Sequence, residues 1–185
     1  MRKLSLFIAT SLDGYIAKPN DDLEFLKLVE KEGEDYGYME FISTVDTIII
    51  GRKTYDYVVK AIGSEHYDNG KHDVYVITRT PRPSSGRTTF YTGHPADLVR
   101  DLKTRDGQNI YCDGGAEVVN ELVKQDLVDE MTISIIPILL GEGVRLFQDH
   151  RPEQQLELIK TKSFDTGLVQ LHYKRKLLAG RHFSI

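Results

Sequence analysis

Apolar side chains gather into nearly continuous runs at residues 4–9, 47–50, 74–77, 110–112 and 131–140. The runs are rich in β-branched residues and lack polar alternation, the pattern of strands buried on both faces of a largely parallel sheet. Between them lie stretches with helical signals. Asp21 and Asp22 precede Leu23, Phe25, Leu26 and Val29, and residues 52–60 follow a glycine. Residues 95–103 carry Leu98, Val99 and Leu102; residues 115–125 carry Val118, Val119, Leu122 and Val123. Strand and helix therefore alternate, as in an α/β domain whose helices cover a sheet. After Asp129 the pattern changes to strands at 131–140, 156–162 and 168–176, with Asp165, Thr166 and Gly167 as the turn of an antiparallel hairpin. The predicted fold is α/β: a three-layer sandwich with a central mixed, mostly parallel sheet flanked by helices and ending in an antiparallel C-terminal hairpin.

The chain of 185 residues is read as one domain, since the loop-rich stretch 80–87 is too short for an interdomain linker. A net charge of −4, spread without a basic block, argues against a nucleic-acid partner. Arg2 and Lys3 precede the first apolar run, but Thr10, Ser11 and Asp13 end it too early for a signal peptide or a membrane span, so a cytoplasmic protein is expected. The single cysteine, Cys112, lies in an apolar run and reads as a buried, inert thiol. The histidines show no ligand spacing, and no metal site is expected.

Two strand ends have the chemistry of a phosphate cradle. At the first, residues 47–50 run into Gly51, Arg52, Lys53 and Thr54 and then a helix. A helix N-terminus offers free amides, glycine permits close approach, and the cations and hydroxyl add donors. The alternative is an ordinary strand-to-helix turn with two solvated cations. At the second, a strand leads to Asp113, Gly114, Gly115, Ala116 and Glu117 at the start of another helix, although glycine pairs end many strands. Neither site has the Rossmann or P-loop spacing. Between them, Thr78, Arg79 and Thr80 follow a third strand and suit a ribose phosphate, which favours NADPH over NADH. By itself this stretch is an exposed polar loop; three such strand ends in succession make a dinucleotide site the better reading.

The opening run, followed by Ser11, Leu12, Asp13, Gly14, Tyr15, Ile16 and Ala17, resembles the first strand and loop of the dihydrofolate-reductase superfamily. The branch it resembles contains the reductase domain of the bifunctional riboflavin-biosynthesis deaminase-reductase. Three later stretches agree in order: 48–54, 76–81, and a long run from Asp113 and Gly114 through Leu127, Val128, Asp129 and Glu130 to Pro137, Leu140, Gly141, Gly143 and Phe147. The resemblance implies nicotinamide contacts at the backbone of Ala9 and Ile16, and phosphate contacts at Gly51, Arg52, Lys53 and Thr54. It implies the 2′-phosphate at Thr78, Arg79 and Thr80, and the pyrophosphate at Gly114, Gly115, Ala116 and Glu117. It also implies a cis peptide between Gly114 and Gly115.

On the substrate side, Asp22 occupies a setting like that of the buried carboxylate of dihydrofolate reductases, or it caps a helix. Asp13 is a turn former or a polar group of the pocket. Arg145 is a candidate for a substrate phosphate or a surface residue. The expected activity is NADPH-dependent hydride transfer to a small heterocycle, a pterin or a phosphoribosylaminouracil-like pyrimidine, with Asp22 or Asp13 as candidate proton donor. The competing expectation is an NADPH-binding sensor or scaffold without turnover. Family analogy adds a homodimer, with the C-terminal strands or the tail at 179–185 as possible contact surface.

Overall fold

The computed structural model describes residues 1–176. In chain order the elements are β1 (Leu4–Ser11), β2 (Tyr15–Ala17), α1 (Tyr38–Ile42), β3 (Val45–Gly51), α2 (Arg52–Ile62), β4 (Asp73–Ile77) and β5 (Thr88–Tyr91). They continue with α3 (Pro95–Thr104), β6 (Asn109–Gly114), α4 (Ala116–Lys124), β7 (Glu130–Ile136), β8 (Val144–Arg145), β9 (Leu156–Ser163) and β10 (Val169–Arg175). Eight strands form one sheet in the order β5-β4-β3-β6-β1-β7-β10-β9, and β2 pairs with β8 apart from it. Neighbours from β5 to β7 run parallel. β10 is antiparallel to both β7 and β9, so the sheet ends in the expected hairpin.

The nearly continuous apolar runs follow from burial on both faces. Ile48 and Ile50 pack with Val74, Val76 and Tyr111 under α1 and α2, while Ile49 points the other way into a core with Leu4, Leu6, Ile110 and Cys112. That second core is closed by Leu98, Val99 and Leu102 of α3 and by Val118, Val119, Leu122 and Val123 of α4. In the hairpin turn Gly167 has φ +83°, and its N–H donates to the Phe164 carbonyl at 2.9 Å.

Several segments depart from the expectation. The helix expected after Asp22 is only two short 3₁₀ segments, Pro19–Asp21 and Glu24–Val29, because Asn20 and Asp21 adopt positive φ and break the turn. The apolar run from Met131 leaves the sheet after Ile136, where Pro137 has no N–H to give, and Leu139 is 69% exposed. β2, β5, β8 and α1 lacked a periodic signal. The tail considered as contact surface, with Phe183 and Ile185, lies outside the described residues. No helix among the described residues is long and apolar enough to cross a membrane.

Candidate functional site

Because β4, β3, β6 and β1 are parallel neighbours, their C-terminal ends share one edge of the sheet, where open α/β sheets bind ligands. Register aligns Gly51 with Ile77 and Ile50 with Gly114. The three sequence-predicted phosphate segments are therefore brought side by side. A Cβ on Gly51 would meet the Gly115 amide nitrogen at 3.3 Å and the Gly114 carbonyl at 3.5 Å, and one on Gly115 would meet Thr54 Oγ1 at 3.0 Å. Glycine is what lets the two turns touch. From the next strand, Arg79 lies 3.7 Å from Glu117. The Gly114–Gly115 peptide is cis, as the resemblance implies.

These turns present unspent donors. α2 and α4 start at Gly51 and Gly115 without any side-chain cap, whereas in α3 the Ala96 N–H donates to His94 Nδ1. First-turn amides of α2 and α4, one of them that of Ala116, are thus left for an anion. Lys53 is exposed beside them, while Arg52 is paired with Asp56 at 2.7 Å. Thr78 differs from its expected role. It is buried, and its hydroxyl accepts from the Thr80 N–H, so it shapes the turn and leaves Arg79 and Thr80 facing solvent. Glu117 turns its carboxylate toward Arg79 and can offer only its backbone to a phosphate. As a donor set, cations, a hydroxyl and two uncapped helix starts fit a phosphorylated dinucleotide.

Ala9 sits at the end of β1 and lines a cavity of about 740 Å³. The cavity is walled by Phe7, Ser134 and Ile136 of β1 and β7, by Leu26, Val29, Tyr36 and Tyr38, and by Leu168. The Ser11–Gly14 turn folds β2 back, so Ile16 lies near the same edge, its side chain packed against the core over α3 and α4.

The expected catalytic carboxylates have other partners. Asp22 is exposed and accepts from the Glu24 N–H at 2.6 Å, which makes it a turn cap. Asp13 accepts from the Ser11 hydroxyl at 2.6 Å and from the N–H groups of Leu140 at 3.1 Å and Gly141 at 2.7 Å. The Ser11 bond leads the causes that lower its pKa to about 2. It therefore clamps the 140–141 loop and holds no proton at neutral pH. Its contribution to stability is complete above the ordinary carboxylate pKa and is lost as pH falls through about 2. Asp13→Ala is expected to lower the melting temperature through release of the 140–141 loop; an unchanged melting temperature would remove the clamp. Arg145 stacks on the Tyr15 ring at 4.6 Å and does not line the cavity.

A buried carboxylate to which sequence reasoning gave no role is linked to the cavity wall through Tyr111. Asp113, next to Gly114, accepts from the hydroxyls of Tyr111 at 2.6 Å and Tyr67 at 2.7 Å. The same Tyr111 hydroxyl lies 3.1 Å from the carbonyl of Phe7, a cavity residue. Burial pushes the Asp113 pKa up, against the two hydroxyl bonds. Tyr38, another cavity residue, is raised to about 12 by burial and by the nearby Asp113 charge. The neighbouring Cys112 thiol is fully buried and pushed up to about 12 by that burial, which fits an inert core thiol.

Comparison with known proteins agrees with the fold. Residues 2–170 match the model of the RibD C-terminal domain. The chain is 41% identical to the uncharacterized protein YwjB of Bacillus subtilis (strain 168), over 94% of this chain and 98% of that one. It is 31% identical to YyaP of the same organism, over 93% and 94%. A crystal structure of a protein assigned to riboflavin biosynthesis in Shewanella sp. PV-4 superposes with TM-score 0.84 at 32% identity, covering 95% of this chain and 99% of that one. A Thermotoga maritima diaminohydroxyphosphoribosylaminopyrimidine deaminase/5-amino-6-(5-phosphoribosylamino)uracil reductase shares the fold at TM-score 0.70 and 15% identity, covering 95% of this chain and 57% of that one. The chain belongs to the RibD C-terminal domain family, a reductase-type family with the dihydrofolate-reductase-like fold.

Proposed function

We propose that the protein is an NADPH-dependent reductase that transfers hydride to a small heterocycle of the pterin or phosphoribosylaminouracil-like class. The observation that carries this reading is the contact between the glycine turns at Gly51 and Gly115, each opening an uncapped helix, beside the exposed Arg79 and Thr80. When bound, the dinucleotide would supply the hydride. The chain's own residues hold its phosphates at Gly51, Lys53, Thr54, Gly114 and Gly115, select its 2′-phosphate through Arg79, and wall off the ring in the cavity beside Ala9. Asp113, whose pKa burial raises against two hydroxyl bonds, is the residue we assign to proton delivery toward the ring nitrogen next to the reduced carbon. A cavity of this size beside Ala9 favours turnover over a cofactor sensor.

Thermal-shift titration tests the cofactor. NADPH is expected to stabilise the protein more than NADH, and Arg79→Ala to weaken NADPH about tenfold while leaving NADH binding unchanged. Stabilisation by neither dinucleotide would remove the reading. A homodimer belongs to the same proposal, supported by edge strand β9, which is exposed throughout and carries Leu158 at 51% and Ile159 at 47% exposure. Sedimentation of Leu158→Lys as a dimer would exclude that edge as the contact.

A further inference from the structure

The cavity beside Ala9 has an apolar floor and an acidic mouth. Its rim carries Glu30, Glu32, Glu34 and Asp35 against a single cation among the described lining residues, Lys31. Lys31 is itself 3.3 Å from Asp165. A further cation, Lys162, lines the adjoining hollow and lies over the Phe164 ring at 4.2 Å. Three backbone amides at the rim are also taken. Asp35 accepts from the N–H groups of Gly37 at 2.9 Å and Met39 at 2.8 Å, and Glu34 accepts from that of Tyr36 at 2.9 Å. Those bonds to Met39 and Gly37 lead the causes that hold Asp35 below the usual carboxylate range, so its charge is permanent at neutral pH.

A phosphate is recognised by arginine forks, lysines or free helix-start amides. At this rim Lys31, Lys162 and three of the amides are already engaged by a carboxylate or an aromatic ring of the protein, while Glu30 and Glu32 add further carboxylates. Arg145, the other candidate for a substrate phosphate, stacks on Tyr15 instead. Like charges facing each other across a partly desolvated mouth exclude a ligand more effectively than lost contacts do.

We infer that the substrate is a neutral or cationic heterocycle without a phosphate, and that the acidic rim rejects the phosphorylated form. This rests on the reductase reading and divides the substrate class within it. It separates the chain from the phosphoribosyl substrate named for the Thermotoga protein, while the phosphate-holding strand ends on the other side of Ala9 remain reserved for the dinucleotide.

The test uses the full chain saturated with NADPH and matched pairs of one pyrimidine ring carrying its sugar with and without the phosphate, together with a dihydropterin. NADPH oxidation is expected to show kcat/KM about tenfold higher for the dephosphorylated member, a gap that narrows at raised salt. Glu30→Lys with Glu32→Lys is expected to raise kcat/KM about tenfold for the phosphorylated member alone. Calorimetric binding of both members to the NADP complex gives a second readout independent of turnover. Equal or tighter binding, or faster turnover, of the phosphorylated member overturns the inference. If NADPH binds while neither ring does, the inference fails and the cofactor reading stands; if NADPH does not bind, the reductase reading itself fails.

Discussion

Asp113→Asn is expected to lower kcat by about two to four orders of magnitude while leaving the melting temperature at neutral pH unchanged or higher. Asparagine keeps the shape of the side chain, and its carbonyl can still accept from one of the hydroxyls of Tyr67 and Tyr111. It cannot deliver a proton. The stability sign follows from the direction of the pKa shift. A carboxyl raised above its unfolded value of 3.8 holds more protons in the folded state, so it costs stability as pH rises from the ordinary carboxylate range through the raised value. An amide at this position does not titrate and carries no such cost. The two hydroxyl bonds work against the upward shift. Tyr67→Phe is therefore expected to push the Asp113 pKa further up and move the alkaline limb of the turnover profile to higher pH. A wild-type kcat and pH profile in Asp113→Asn would leave proton delivery to water.

The contrast between the cofactor edge and the proton site explains what could be read from the chain alone. Gly51 and Gly115 are local signals: each ends an apolar run, and each is followed by helical spacing. Their meeting required only that the strands be parallel neighbours, which unbroken β-branched runs already imply. Asp113 carries no such signal, because its environment is assembled by Tyr67, 46 positions away in the chain, and through Tyr111 by Phe7, 104 positions from Tyr111. Thr78, Asp13 and Asp22 failed in the opposite direction. Each side chain offers oxygen atoms equally suited to a ligand or to a backbone N–H: Thr78 and Asp22 took the N–H two residues on, and Asp13 took those of Leu140 and Gly141, 127 and 128 positions away. The cavity wall at residues 24–38 was misread for a further reason: the apolar spacing of Leu23, Phe25, Leu26 and Val29 suits a helix, and the six-residue 3₁₀ segment that forms there is followed by charged residues without a period. What selects the substrate is therefore the least patterned part of the chain.

Arg2→Met is expected to remove about 3 kcal/mol of folding stability and about 10 °C from the melting temperature without changing the KM for NADPH. In the sequence Arg2 is one of two cations before an apolar run; in the structure its side chain is only 6% exposed. Its guanidinium pairs with Asp46 and donates to Thr47 Oγ1 at 2.6 Å and, through Nε, to the Gln108 carbonyl at 2.6 Å. Asp46 in turn accepts from the Gln108 N–H at 2.7 Å. One side chain thus ties the entry to β1 to the start of β3 and the approach to β6. Methionine fills much of the volume but leaves a partly buried carboxylate and a carbonyl without their donor, and that loss, more than the missing attraction, sets the size of the effect. Arg2→Lys keeps the charge but cannot fork to three acceptors, so it should recover only part of the loss. These contacts lie at the N-terminal ends of the strands, opposite the edge that carries Gly51 and Gly115, which is why stability and cofactor binding should separate. A loss below about 0.5 kcal/mol would place Arg2 with ordinary surface ion pairs and leave the alignment of the three central strands to the apolar core alone.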